Sequence, residues 1–319
     1  MTSMTASASG SQPGPRAPAQ PGSPAGAGEP AMVADVVIVN HNTRDDLLAC
    51  LASLRRAGAG RVVVVDAGSH DNSLAAAAAQ FPEVATLALA NLGFGRAANA
   101  GVAATDAPVV VVANADTRFP LGSVAALAQQ VAEGDDLACV GPLVRFPDGR
   151  IQMSARAFPL LGDAIGHAVF GLWRPGNRWT RRYRLTDWDH ASDRDVDWVS
   201  GCCVALRRAA FDDVGGFDPA YFMFVEDVDL CWRLKARGWR VRFTAAVEVV
   251  HAIGGAVGRR RLAMTVEHAR SLDRFFTRRY DSAPGRLLRP LIRVGLWGWV
   301  ATAVAWQVLR GRGHSHAHG

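Results

Sequence analysis

Residues 34–43 read ADVVIVNHNT and residues 61–69 read RVVVVDAGS. Each is an unbroken β-branched run closed by a polar side chain, Asn40 in the first and Asp66 in the second. Continuous rather than alternating apolar runs predict strands buried on both faces, as in a parallel sheet covered by helices. Between them Leu47, Cys50, Leu51 and Leu54 recur at helical spacing, with Thr43 placed to cap that helix and Gly58 placed to end it. Strand, helix and strand at this spacing imply a right-handed parallel crossover. Further apolar runs at 86–89 and 109–113 extend the pattern, so an α/β fold is expected. Ligands of such sheets bind beyond the carboxyl ends of the strands. Here those ends read 40–42 (NHN), 66–69 (DAGS) and 114–116 (NAD), a polar rim on an apolar sheet.

The rest of the chain bounds what this sheet belongs to. Hydrophobic residues make up 49% of the 319 positions and charged residues 20%, which permits a substantial core. The five cysteines (Cys50, Cys139, Cys202, Cys203, Cys231) form no CxxC pair, which argues against a disulfide framework or a cysteine zinc cluster and fits a reducing compartment. The formal charge of +6 is lopsided: residues 1–255 carry 23 basic and 26 acidic side chains, residues 256–319 carry 12 and 3. Residues 1–31 are rich in Ser, Ala, Gly and Pro and read as a disordered leader without the apolar stretch of a secretory signal. Residues 160–195 read as a long loop or lid. Near the C-terminus, the apolar stretch 294–309 has 16 residues, short of the roughly 17–25 of a spanning helix. With its flanking arginines and Trp297, Trp299 and Trp306 it suits the interface of an anionic membrane. No nucleic-acid module accompanies the basic tail.

Several residues on or near the rim carry chemistry. Asp66 and Asp116 should project at one edge of the sheet, a geometry for cation and nucleotide; an isolated Asp there more often caps a turn. Asn91-Leu92-Gly93-Phe94-Gly95-Arg96 allows close backbone approach to a ligand, but it lacks the third glycine of the dinucleotide fingerprint. This weighs against a nicotinamide oxidoreductase. Glu226, Asp227 and Asp229 follow an aromatic run at 221–224 and open a helical pattern. Carboxylates there can simply favour a helix start, or, beside apolar walls, take a proton from a hydroxyl. His251 ends the run 247–250 and is structural or a metal or phosphate contact.

In order, the motifs are VVIVNHNT (36–43), VVVVDAGSHDNS (62–73), NLGFGRAANAG (91–101), VVVANADT (110–117), VGPLVRFPDGRIQ (140–152), VDWVSGCCVALRR (196–208), VGGFDPAYFMFVEDVDLCWRL (214–234) and EVVHAIGGA (248–256). The series resembles glycosyltransferase family 2, and within it the bacterial rhamnosyltransferase-like enzymes of cell-wall and surface-polysaccharide assembly. The resemblance spans about residues 34–258. It implies a GT-A type fold with a mainly parallel Rossmann-like central sheet, and an inverting, metal-dependent transferase using a nucleotide-diphospho-sugar. It also implies roles. Asn40, Asp66, Asn91, Gly93, Asn99 and Asn114 fall on the nucleotide-sugar side, and Trp198 and Gly201 on the acceptor side. Asp227 matches the general base with Glu226 beside it, and Asp116 and His251 match contacts to Mg²⁺ or Mn²⁺ and the diphosphate. His41 stands where the family commonly has Tyr, and Ala115 where it often has Pro.

The expectation is therefore a domain at 32–258 and a basic helical extension at 259–319 with a membrane-associating segment and a disordered tail. The activity expected is transfer of rhamnose from dTDP-rhamnose to a lipid-linked or glycan acceptor, in the cytoplasm on the inner face of the membrane. Another donor, UDP-galactofuranose or a UDP-hexose, and an inactive nucleotide-sugar binding protein are the alternatives.

Overall fold

The computed structural model describes residues 33–158, 177–252 and 261–315. The expected leader at 1–31, much of the expected lid (159–176) and the last four residues of the tail lie outside them. The first strands are β1 (Ala34–Asn40), β2 (Ala59–Ala67), β3 (Ala85–Leu89) and β4 (Val109–Asn114), all mutually parallel in the order β3-β2-β1-β4. Helices α1 (Arg44–Leu54), α2 (Ser73–Gln80) and α3 (Phe94–Ala103) connect them. The valines of β1, β2 and β4 are buried on both faces, one set under α3 and the other under α1. Thr43 does not cap α1: its hydroxyl donates to Asn40 Oδ1 at 2.7 Å, and Asp71, from the loop after β2, accepts the Arg44 N–H at 2.9 Å instead. The side chain chose the strand end over its own helix, so the cap comes from a neighbouring loop.

After a two-residue strand β5 (Thr117–Arg118) and α4 (Ser123–Ala132), the chain returns to the sheet. β6 (Leu137–Arg145) leads through short strands β7 (Ile151–Gln152) and β8 (Ala155–Arg156) to a helix α5 (Arg178–Arg184), whose N-terminus Asn177 caps by accepting the Thr180 N–H at 2.9 Å. The described end of the expected lid is thus partly regular. β9 (Arg194–Asp195) and β10 (Trp198–Val199) follow. β11 (Cys203–Arg207) then runs antiparallel between β4 and β6. α6 (Arg208–Asp213), α7 (Glu226–Ala236) and β12 (Arg240–His251), which lies parallel to β6 with a bulge between Thr244 and Glu248, complete this part. At its far end β12 pairs with β5, His251 opposite Thr117.

Two helices close the chain, α8 (Arg261–Arg279) and α9 (Ala283–Ser315). They are not an appendage. Phe275, Phe276 and Ile292 lie in the same buried cluster as Phe217, Tyr221 and Leu230. Arg278 of α8 pairs with Asp218 at 2.6 Å and with the fully buried Asp229 at 3.3 Å. Phe275→Ala should therefore destabilise the protein by about 3–5 kcal/mol, the usual cost of emptying a buried aromatic site. Denaturant or thermal unfolding checks it, and an unchanged midpoint would mean that α8 stands apart from the core.

Candidate active site

The reversal at β11 assembles the cleft. Cys203 pairs with Ala113, so residues 200–202 lie over the carboxyl end of β4. There the Cys202 carbonyl accepts the Asn114 N–H at 3.0 Å and the Thr117 hydroxyl at 3.1 Å. One residue earlier, the Gly201 N–H donates to Asp227 Oδ2 at 2.9 Å. Asp227 and the Asn114–Asp116 corner are thus joined through two adjacent residues. The buried Cys202 thiol, pushed up to about 11 chiefly by burial, feels the negative charge of both Asp227 and Asp116.

Asp227 and Glu226 sit at the start of α7, behind Phe224 and Val225, which both have φ of +68°. A β-branched residue in the left-handed region is strained, by about 1–3 kcal/mol, and such strain gathers at functional turns. The turn lets the Phe222 carbonyl accept the Phe94 N–H at 2.9 Å. Gly93 makes that approach possible, because at its φ of +105° a Cβ would stand 2.3 Å from the Phe222 oxygen. The loop 91–94, the loop 200–202 and the acidic turn therefore converge.

The two carboxyls titrate as a pair. Burial, and then the charge of Asp227, pushes Glu226 up to about 8, and its Oε2 has no hydrogen-bond partner among the described residues. Burial also raises Asp227, but the Gly201 and Val228 amides, the latter at 2.8 Å, and the positive charge of Arg156 favour its ionised form. Glu226 thus holds its proton near neutral pH, while the groups facing Asp227 favour its ionised form.

At the other end of the rim, Asn40 Nδ2 donates to Asp66 Oδ1 at 2.6 Å, and the Ser69 N–H donates to Asp66 Oδ2 at 2.9 Å. Asn40 and Asp66 are both buried and build the floor of the rim. His41, half-buried, donates from Nδ1 to the Ala67 carbonyl at 2.7 Å, and its Nε2 faces the Asn42 and Asn91 amides at 3.1 and 3.4 Å. It links three loops, a role the sequence did not reveal beyond marking it as a departure.

Asp116 and His251 meet because His251 closes β12 opposite β5. His251 Nε2 stands 3.0 Å from Asp116 Oδ1 and accepts from Asn114 Nδ2 at 3.2 Å, while Nδ1 donates to Gln152 Oε1 at 3.0 Å. An imidazole beside a carboxylate supplies two of the ligand types that a hard divalent ion accepts, and their 3.0 Å separation is equally that of a His–Asp hydrogen bond. Among the described residues no group of three or more His, Cys, Asp or Glu could hold a metal; phosphate oxygens and water would complete the shell, as Mg²⁺ commonly requires.

Two of the expected site residues have partners within the protein. Asn99 Nδ2 donates to the Phe217 carbonyl at 2.8 Å and its Oδ1 accepts the Phe217 N–H at 2.9 Å, which clamps α3 to the turn before the aromatic run. Trp198 is buried. Its ring is in the core and its Nε1–H donates to the Ala157 carbonyl at 2.9 Å. Arg156, paired with Trp198 across β8 and β10, stacks over that ring at 5.3 Å, and its positive charge favours the ionised form of Asp227. The quoted motif at 140–152 stops four residues short of Arg156, which is why it was missed.

With this geometry in place, similarity to known proteins is informative. Residues 35–215 match the family model described as glycosyl transferase family 2. The chain is 38% identical over 263 residues to N-acetylglucosaminyl-diphospho-decaprenol L-rhamnosyltransferase of Mycobacterium tuberculosis, covering 78% of this chain and 85% of that one. It is 35% identical over 98 residues to the rhamnosyltransferase WbbL of Escherichia coli (strain K12), covering 31% of this chain and 34% of that one. Among solved structures it resembles the mannosyltransferase PcManGT from Pyrobaculum calidifontis in complex with GDP-Man and Mn²⁺, with a TM-score of 0.52 and 17% identity over 91% of this chain and 84% of that one. It also resembles GalNAc-T7 with UDP, GalNAc and Mn²⁺, with a TM-score of 0.53 and 17% identity over 70% and 44%. The fold is of the GT-A type, as expected. The chain belongs to glycosyltransferase family 2 and is a glycosyltransferase.

Proposed function

We propose that this chain transfers rhamnose from dTDP-rhamnose to a hydroxyl of a sugar carried on a lipid diphosphate, with inversion at the anomeric carbon. The observation that carries this reading is the Gly201–Cys202 bridge, because a displacement needs a base on one side of the reacting carbon and a charge-neutralising corner on the other. The identity to the mycobacterial rhamnosyltransferase, most of whose length is covered, supports the choice of donor and acceptor.

In this reading Asp227 takes the proton of the acceptor hydroxyl as its oxygen attacks the anomeric carbon. The new C–O bond forms on the face opposite the bond to the diphosphate, which breaks with its electron pair. Glu226, protonated near neutral pH, leaves the charge on Asp227. Asn40, Asp66, Asn91, Gly93 and Asn114 frame the nucleotide-sugar side, and Gly201 holds the base toward the acceptor. Asp116 and His251 would hold Mg²⁺ or Mn²⁺, which when bound offsets the charge of the departing diphosphate.

The same reading puts the catalytic body against the inner face of a membrane. No helix among the described residues is long and apolar enough to cross one. Instead α9 exposes Leu287 (80%), Leu291 (69%) and Val294 (73%), with Trp297, along one helical face, in a segment with a large excess of arginine.

Three outcomes test these proposals. Asp227→Asn should lower kcat by about 10²–10⁴-fold, the usual worth of a positioned base, while dTDP-rhamnose still raises the melting temperature. Normal transfer by that variant, or a wild-type protein that releases dTDP from no rhamnosyl donor, rules out the assignment. Glu226→Gln tests the carboxyl pair. Because the folded Glu226 titrates near 8 and the unfolded one near 4.5, the stability of the native protein is lost as pH rises between those values. The melting temperature of the variant relative to wild type should therefore climb between pH 5 and pH 8; a flat difference refutes the raised value. Finally, Leu291→Glu with Val294→Glu should abolish co-sedimentation with anionic vesicles and leave the melting temperature close to wild type.

A further inference from the structure

Arg156 is the feature of the cleft that the base, the cation corner and the rim leave unexplained. Its guanidinium is half-buried, lies over the Trp198 ring at 5.3 Å and the Tyr183 ring at 5.7 Å, and donates Nε–H to the Met153 carbonyl at 3.1 Å. Among the described residues no carboxylate lies within ion-pair distance of it. Arginines of the adjoining helices are different: Arg233, Arg278 and Arg293 each pair with an aspartate at 2.6–2.9 Å. A sheltered guanidinium resting on two rings, with no carboxylate at ion-pair distance among the described residues, keeps its outer N–H edge for a planar or tetrahedral oxyanion.

Its surroundings say which oxyanion. The charge of Arg156 favours the ionised form of Asp227, and burial, then Arg156, holds His268 of α8 down to about 4, so that wall is neutral. His268 packs on Phe224 at 5.3 Å and on Trp299 of α9 at 6.4 Å. β8 lies against β10, with Arg156 opposite Trp198 and the Ser200 N–H donating to the Ser154 carbonyl at 2.7 Å, so Arg156 stands on the strand beside the segment that holds the base, near an aromatic wall built by α8 and by α9, which carries the exposed apolar face. Both substrates in the proposed reaction bear a diphosphate. That of the donor has its own corner at Asp116 and His251, on the opposite flank of the Gly201–Cys202 bridge.

We infer that Arg156 binds the diphosphate of the lipid-linked acceptor and thereby selects acceptors that carry one. The inference rests on the proposed function and adds a specificity determinant to it. It is tested with the full chain, dTDP-rhamnose and two acceptors bearing the same sugar, one on a polyprenyl diphosphate and one on a neutral alkyl glycoside. In Arg156→Ala the ratio of kcat/KM for the diphosphate acceptor over the alkyl glycoside should fall at least about tenfold, the scale of a lost charge-assisted hydrogen bond. Arg156→Lys, which keeps the charge and loses the fork, should fall part of the way and serves also if the alanine variant does not fold. Titration of dTDP into wild type and both variants reports the donor side. An unchanged acceptor ratio, or a loss confined to dTDP affinity, overturns the inference while the proposed function stands. A wild-type chain that transfers rhamnose to neither acceptor overturns both.

Discussion

Two consecutive peptide groups hold the cleft together: the Gly201 N–H fastened to Asp227 and the Cys202 carbonyl fastened to Asn114 and Thr117. They can do this because β11 runs against its neighbours. In a parallel sheet the carboxyl ends of the strands gather at one edge, and ligands bind there. An antiparallel strand inserted among them delivers its beginning to the same edge, so residues 200–202 join Asn40, Asp66 and Asn114 at the rim. β12, parallel to β6, brings its end and hence His251 to that edge as well. The cleft is a consequence of strand direction before it is one of side-chain chemistry.

Within that frame, three carboxyls spaced over four residues meet three fates. Asp229 is fully buried, and Arg233 at 2.7 Å and Arg278 at 3.3 Å balance its charge. Asp227 has two backbone amides and remains partly open to solvent. Glu226 is buried with no partner for Oε2 among the described residues, and a proton is the cheapest way to relieve it. The sequence EDVD shows none of this, because the difference lies in which backbone groups and arginines arrive from elsewhere. The strained turn at Phe224 and Val225 sets those arrivals: it aims the Phe222 carbonyl at Phe94 and starts α7 with both acids inside the cleft.

The extent to which residues could be read in advance follows the same logic. The β-branched runs at 36–39, 62–65 and 109–113 declared their strands because burial on both faces leaves a local signature, and their polar ends marked the rim. The meeting of Asp116 with His251 came from the order of family motifs, since no local pattern links positions 135 residues apart. The partners of Asn99 and Trp198 are not legible in the sequence. An Asn that clamps Phe217 with both amide atoms, and a Trp whose N–H is satisfied by Ala157, look in sequence like any polar or aromatic residue near a site. Arg156 carried no signal, as its neighbours in space come from separate elements, with Trp198 on β10 and Tyr183 on α5, and it lies outside every motif quoted. Thr43 shows that even a strong local rule yields when a tertiary partner, here Asn40, offers a better bond.

The C-terminal helices extend this argument beyond the sheet. A basic tail with tryptophans reads in sequence as a separable anchor, but α9 has two faces with different obligations. Ile292 and Val300 are buried, and Trp299 packs on His268, while Leu287, Leu291 and Val294 face outward. The inner face repeats at the spacing of a helix packed on α8, and α8 in turn is fixed to α7 by Arg278 and Asp229. A path of contacts therefore runs from α9 through Trp299 and His268 to Phe224 beside the acidic turn. In the proposed function, where the acceptor is confined to a membrane, a surface that covers Leu291 and Val294 would orient the body that carries Asp227, and orientation of the whole body then replaces part of the search for a reactive alignment.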